Sequence, residues 1–238
     1  MALEPLATRV KICGLSTPAT LAAALDAGAD LVGFVHFPKS PRHLDWPAAR
    51  ALAAAVRGRA ERVVLLVDPD DATLRAALES VAPDLIQLHG RESPERVAAI
   101  RRLAGRPVMK ALGIATSADL ARLADYAGAD RLLLDAKPPP GAALPGGNGL
   151  PFDWTLLAGA RLPADWMLSG GLRPETAAEA VARTGAPALD VSSGVERAPG
   201  VKDPDLIAAF VAAVRARAAP EPASADAAGL LARPPRGV

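Results

Sequence analysis

The sequence predicts an α/β chain closed into a single (β/α)8 barrel, the TIM-barrel architecture, with a flexible C-terminal tail. Three observations carry this expectation. Eight short, continuously apolar runs alternate with longer Ala-, Leu- and Arg-rich segments of helical period. Runs that are apolar throughout fit strands buried on both faces, as in a parallel sheet covered by helices. The 238 residues are long for an ordinary domain and usual for one such barrel. A doubly wound open sheet uses the same alternation and is the competing architecture.

The candidate strands are "RVKIC" (9–13), "LVGFV" (31–35), "RVVLLV" (62–67), "LIQL" (85–88), "PVMKAL" (107–112), "RLLLD" (131–135), "WMLS" (166–169) and "ALDVS" (188–192). Between them lie helical stretches such as "TPATLAAALDAGA", "WPAARALAAAVR", "SPERVAAIRRLAG", "SADLARLADYAGA" and "RPETAAEAVARTGA". Several open on Ser, Thr or Asp followed by Pro or an acid, which is N-cap chemistry. Many close on Gly-Ala, a C-cap signal. The segments "DAGADLVGFV" and "YAGADRLLLD" share Ala-Gly-Ala-Asp before a strand, and "RTGAPALDVS" is a looser third copy. A recurring helix-stop-strand unit suits a repetitive barrel. The barrel domain is expected over 1–219. From 220 to 238 Pro, Ala and charge recur without periodicity, and a tail is expected there. The long irregular stretch 136–151, "AKPPPGAALPGGNGLP", follows the sixth strand and reads as a lid.

Composition narrows the function classes. Half of the residues are hydrophobic and only 3% aromatic, so the core is aliphatic. Twenty-seven basic residues against 26 acidic leave a net charge of +1, which gives no bulk attraction to nucleic acid or anionic membrane. A single cysteine excludes an internal disulfide framework and a multi-cysteine metal cluster. The opening "MALEPLATRV" does not read as a secretory signal, and the apolar runs are too short for a membrane span, so a cytoplasmic location is expected.

Active sites of parallel barrels gather at the carboxyl ends of the strands. Cys13 ends the first strand, Asp135 the sixth, and Asp190 lies near the end of the eighth, while Gln87 and His89 straddle the end of the fourth. A thiol and a carboxyl across one opening can serve as base and acid, provided a polar or positive neighbourhood lowers the thiol pKa and burial raises that of the carboxyl. Equally, Cys13 is a small core residue, Asp135 a turn carboxylate, and His89 a structural hydrogen-bonding group in the tight "LHG" turn. "LSGGLRPET" places Gly170 and Gly171 after the seventh strand, and "DVSSGVE" places Ser192, Ser193 and Gly194 after the eighth. Loops in those two positions are the usual barrel phosphate site, and backbone N–H groups there need no net charge. "FPKSPRHLDW" after the second strand offers Lys39 and Arg42, the latter suited to clamping a carboxylate or, as plainly, to facing solvent.

In order along the chain, "KICGL", "GADLVGFV…PKSPRHL", "IQLHG", "KAL", "LLLDA", "GGNGLPFDW", "LSGGLRPE" and "LDVSSGVE…GVKDPDLIAAF" closely resemble the phosphoribosylanthranilate isomerase family of tryptophan biosynthesis, from about Val10 to Phe210. The resemblance implies a (β/α)8 barrel that performs an Amadori rearrangement on a small phosphoribosyl substrate, without metal or organic cofactor, as a monomer or homodimer. It implies that Asp135 protonates the ribose ring oxygen and that Cys13 removes the C2′ proton. Arg42 would hold the anthranilate carboxylate. Gly170, Gly171, Ser192, Ser193 and Gly194 would present donors to the phosphate, and His89 and Asp190 would contact substrate. Three features depart from the family pattern: Asn148 in "GGNG" where threonine is expected, a longer proline-rich "KPPPGAALP", and His36 where an aromatic or aliphatic residue is usual. A related barrel isomerase of histidine biosynthesis uses two aspartates, and a cysteine at the first strand end argues against it. A non-catalytic phosphoribosyl-binding barrel would need no acid/base pair.

Overall fold

A computed structural model describes residues 7–139, 141–142, 144–146, 149 and 153–216. Asn148 and the expected tail at 220–238 lie outside the described residues. Eight parallel strands close into a barrel: β1 (Arg9–Cys13), β2 (Leu31–His36), β3 (Glu61–Leu66), β4 (Leu85–Leu88), β5 (Val108–Ile114), β6 (Arg131–Ala136), β7 (Trp166–Leu168) and β8 (Ala188–Val191). Pairing of β1 with both β2 and β8 removes the open sheet from consideration.

Helices α1 (Pro18–Asp26), α2 (Trp46–Val56), α3 (Asp71–Val81) and α4 (Pro94–Ala104) follow the first four strands. Their N-caps are chemical as well as positional. Thr17, Asp45, Asp70 and Ser93 each accept the N–H three residues on, at 3.3, 2.8, 2.7 and 3.3 Å. The segment 117–129 departs from a continuous helix. α5 (Ser117–Ala121) lasts five residues, and Arg122–Tyr126 tightens to a 3-10 helix. Leu120, Leu123 and Tyr126 recur every three residues, which stacks them in one line on a 3-10 helix, whereas an α-helix would spread them over about 120°. After β6 the described chain forms only a 3-10 turn, Trp154–Leu157. The described residues therefore hold seven α-helices, with α6 (Pro174–Thr184) and α7 (Pro204–Ala216) completing the ring.

Strand alternation separates two cores. Outward residues such as Val10, Ile12, Phe34, Leu66, Ile86 and Leu134 pack under the helices. Inward residues Leu31, Val63, Leu85, Met109, Leu133 and Met167 fill the lower barrel. Near the mouth the lining becomes Cys13, Val35 and Leu65, with Phe37 and Val67 against them. At the opposite end the recurring Asp has a definite use. Asp30, Asp84 and Asp130 accept the N–H of Val10, Arg62 and Val108 at 2.7, 2.8 and 2.9 Å, fastening each even strand to the odd one before it. In the third copy Pro187 stands at that position, and only its carbonyl bonds, to the Arg9 N–H at 2.9 Å.

Candidate active site

Residues two apart on a strand share a face, so a strand ending on an inward residue delivers that side chain to the mouth. Cys13, Asp135 and Asp190 arrive in this way, and Arg42, His89 and Ser192 join them from the loops after β2, β4 and β8 to line one pocket at the carboxyl ends of the strands. Gly170, Gly171, Ser193 and Gly194 line an adjoining pocket, which shares Asp135, Ser169, Asp190 and Ser192 with the first. The structure thus gathers these residues into two connected hollows, and Lys39 lines neither of them.

The second hollow is built from backbone. Gly170 and Gly171 sit at φ +87° and +65°, conformations that glycine adopts without strain. A Cβ at Gly170 would come within 2.7 Å of the Ala136 nitrogen and 3.2 Å of Asp135 Oδ1. A Cβ at Gly194 would run into the carbonyl group of Leu172, so the loops after β7 and β8 meet main chain to main chain. Glycine at these positions lets the two loops pack closely beside the pocket that they line.

Asp135 is buried and accepts the Ala136 N–H at Oδ1, 2.8 Å, while Oδ2 faces His89 Nε2 at 3.2 Å. The Gln87 amide nitrogen lies 2.9 Å from His89 Nδ1. With the amide donating there, the neutral ring carries its proton on Nε2 and offers it to Asp135. The segment after β6 reaches this pair through Gly146, where a Cβ would fall 2.6 Å from Asp135 Oδ2.

Cys13 is 4% exposed, and burial pushes its thiol pKa up, against the downward pull of the Lys11 and Lys202 ammonium groups. The cations supply the positive neighbourhood that a thiol base requires, but burial and the Asp190 carboxylate outweigh them. Lys11 Nζ donates to Asp190 Oδ1 at 2.7 Å, and Asp190 Oδ2 accepts the Ser169 hydroxyl at 3.4 Å. Asp190 is thus an ion-pair partner inside the barrel as well as part of the pocket lining.

Arg42 is buried rather than solvated. Its Nε and Nη2 donate to Glu196 Oε1 and Oε2 at 2.7 and 2.9 Å. Glu196 opens β9 (Glu196–Ala198), which pairs with β10 (Val201–Lys202). Lys202 donates to Glu196 at 2.8 Å, to the Ser192 carbonyl at 2.8 Å and to its hydroxyl at 3.1 Å. Burial lowers the Lys202 pKa to about 8, with Glu196 opposing that shift, while the Glu196 carboxyl is held below its usual range by Arg42 and Lys202 despite its own burial. Lys39 is exposed and away from these groups. His36 points outward, stacked on Trp46 at 3.6 Å with Nδ1 2.9 Å from the Leu44 carbonyl, so it braces the Arg42 loop from behind.

Lys11, Glu196 and Lys202 were not among the residues selected from sequence. Lys11 carried a legible signal, since it is the one charged residue between apolar neighbours in "VKIC" and shares the inner face with Cys13. Glu196 and Lys202 reach the site through a short antiparallel ribbon that periodicity does not reveal.

A parallel barrel with a thiol and a carboxyl at its mouth and backbone-lined loops beside them has the layout of an enzyme for a small phosphorylated sugar. The chain belongs to the N-(5′-phosphoribosyl)anthranilate isomerase family, whose family model matches residues 10–213. It is 62% identical over 212 residues to the N-(5′-phosphoribosyl)anthranilate isomerase of Azorhizobium caulinodans, covering 89% of this chain and 93% of the relative. It is also similar to the phosphoribosylanthranilate isomerase of Thermotoga maritima, solved as monomers generated from a dimeric protein, at TM-score 0.75 and 33% identity over 88% of this chain and 99% of that one. A phosphoribosylanthranilate isomerase solved in complex with reduced 1-(o-carboxyphenylamino)-1-deoxyribulose 5-phosphate aligns at TM-score 0.76 and 32% identity over 88% of this chain and 99% of that one.

Proposed function

We propose that this chain converts N-(5′-phosphoribosyl)anthranilate to 1-(2-carboxyphenylamino)-1-deoxyribulose 5-phosphate, with Asp135 as general acid and Cys13 as general base. The observation that carries the reading is the convergence of Cys13 and Asp135 on one pocket that opens into the loops after β7 and β8. The phosphate sits against Gly170, Gly171, Ser192, Ser193 and Gly194. The anthranilate ring lies over Val35, Phe37, Leu65 and Val67, with its carboxylate toward Arg42, which Glu196 holds in place.

The reaction follows from these positions. A proton passes from Asp135 to the ribose ring oxygen, the C1′–O4′ bond breaks, and the nitrogen lone pair forms a Schiff base. The Cys13 thiolate takes the proton from C2′, and that bond's electron pair moves into C1′–C2′ to give a neutral enolamine. Transfer of the O2′ proton to C1′ through solvent then yields the ketone. One turnover leaves Asp135 as carboxylate and Cys13 as thiol, and proton exchange with water resets both. His89 steers the carboxyl through Oδ2, and Asp190 contacts the sugar from β8. The chain needs no organic cofactor for this sequence of proton transfers, which we assign to the cytoplasm. Among the described residues no helix is long and apolar enough to cross a membrane.

The test is the decay of anthranilate-type fluorescence when purified protein meets freshly made substrate, run beside Cys13→Ser. Turnover by the wild type and a loss of at least about a hundredfold in the variant, the scale of losing a positioned base, is the expected result. No turnover by the wild type removes the function, and an active Cys13→Ser removes the base.

A further inference from the structure

We propose that Lys11 is a positioning residue for this reaction: its ammonium, held inside the barrel by Asp190, is the charge against which Cys13 gives up its proton. The inference rests on the assignment of Cys13 as base.

Lys11 is wholly buried on the inner face of β1, in the layer directly beneath Cys13. Taking an ammonium out of water costs several kcal/mol, and an apolar pair of similar volume in place of a buried ion pair is often neutral or stabilising. Stability is therefore a poor reason for a lysine and an aspartate in the middle of an aliphatic barrel. The surroundings of the thiol supply a better one. Gly33 on β2 is the register partner of Cys13, and a Cβ there would lie 3.1 Å from Cys13 Sγ and 3.3 Å from Lys11 Nζ. Thiol and ammonium converge on the hollow that the missing side chain leaves. Glycine inside a strand is costly unless something else occupies its space. Here a charged group and a nucleophile occupy it together.

Charged groups face the thiol from several elements. Lys11 comes from β1, Asp190 from β8 and Lys202 from β10, while Asp135 and His89 line the same pocket from β6 and the turn after β4. Lys202 is committed to Glu196 and Ser192, and the Ser192 hydroxyl donates to the Cys13 carbonyl at 3.1 Å. Lys11 is the stronger of the two cations in pulling the thiol down. Burial disfavours the Lys11 charge, but Asp190 and Cys13 outweigh that and hold its pKa above the ordinary lysine value. The 2.7 Å pair with Asp190 favours the ammonium form, which leaves the base role with Cys13. The part of Lys11 is electrostatic. The S–H bond of Cys13 breaks with its proton going to water, Lys11 balances the new negative charge, and the thiolate then takes the C2′ proton.

The test uses Lys11→Met, Lys11→Arg and Lys11→Gln. Cys13 is the only cysteine, so thiolate absorbance in the ultraviolet, less that of a Cys13→Ser control, reports its titration directly. Lys11→Met is expected to raise the thiol midpoint by about one unit or more, the scale of losing a nearby opposite charge. It should lower kcat near neutral pH by about tenfold or more, since one unit is a tenfold change in thiolate. KM should stay nearly constant, and the loss should shrink as pH rises. Lys11→Arg should retain most of the wild-type profile. A folded Lys11→Met with the wild-type midpoint and kcat overturns the proposal. If that variant does not fold, Lys11→Gln, which keeps a donor toward Asp190 without the charge, carries the test. A raised midpoint supports the proposal, and an unchanged or lowered one overturns it. Turnover retained by Cys13→Ser with native Lys11 overturns the base assignment and the inference together, a result separate from any failure of Lys11 alone.

Discussion

The two ends of the barrel use aspartate in opposite ways. At the amino end Asp30, Asp84 and Asp130 are 33, 38 and 28% exposed, and each spends one oxygen on a neighbouring strand's N–H. Their remaining partners are arginines that reach in from solvent, Arg215, Arg62 and Arg101. Glu61 with Arg9 and Arg131 adds a further tie among the first residues of β1, β3 and β6. At the carboxyl end Asp135 and Asp190 are only 7 and 5% exposed and face groups that themselves exchange protons or carry buried charge. An exposed carboxylate fastened to backbone is cheap to maintain and does one thing, which is to fix register. A buried carboxylate beside a histidine or a lysine is costly, and such groups concentrate at functional sites, so on the proposed mechanism register and reactivity are kept at opposite ends of the same strands.

The sharpest way to break this division is at Asp135. Asp135→Asn keeps the volume and the Ala136 N–H contact but removes the transferable proton. Turnover should fall by at least about a hundredfold, the scale of general acid loss, with unfolding midpoint and product affinity nearly unchanged. Near-normal turnover would take the acid role from Asp135. A smaller effect is expected at Arg42, to which the proposed function gives the substrate carboxylate and no proton transfer. Arg42→Ala should raise KM by about ten- to a hundredfold, the loss of one or two charge-assisted hydrogen bonds, with kcat within a few fold. An unchanged KM would remove Arg42 from the substrate site, whereas a collapse of kcat with KM constant would move it into the chemistry.

Much of this was legible before any coordinate. Continuous apolar strands, Thr/Asp/Ser caps and Gly stops fix element type locally, so six of the eight strand-helix units read correctly from short windows. The exceptions have local causes that compete with the helical period, namely the three-residue spacing of Leu120, Leu123 and Tyr126 and the proline-rich run after β6. Strand ends also reveal which side chains reach the mouth, and Cys13, Asp135 and Asp190 came from that rule alone. What strand ends do not reveal is pairing across the barrel. Arg42 meets Glu196 over 154 positions and Lys11 meets Asp190 over 179, distances at which spacing carries no information. The pull on the Cys13 thiol was foreseen in kind, yet its net direction depends on burial, which only the closed barrel sets.

The smallest effect on catalysis is expected at the amino end, and it tests the comparison from its other side. The Asp30 carboxylate accepts the Val10 N–H at 2.7 Å and the Arg215 guanidinium at 2.6 Å, joining β1 and β2 to α7. Arg215 also donates to the carbonyls of Thr8 and Gly28, so Asp30→Ala loosens a junction rather than one bond. Hydrogen bonds to a charged group contribute about 1.5–3 kcal/mol when buried, and the one-third exposure of Asp30 places the loss at or below the lower part of that range, about 1–2 kcal/mol. A lowered urea midpoint with kcat and KM within about twofold is the expected outcome, in the way that distant, independent sites add. Repeating the substitution at Asp84 and Asp130 should give losses of the same order, because the contact is the same and only the strand pair differs. If turnover instead falls by more than about tenfold while the protein stays folded, strand register at the base is transmitted to Cys13 at the top of β1. The two ends of the barrel would then be one mechanical unit and not two separate regions.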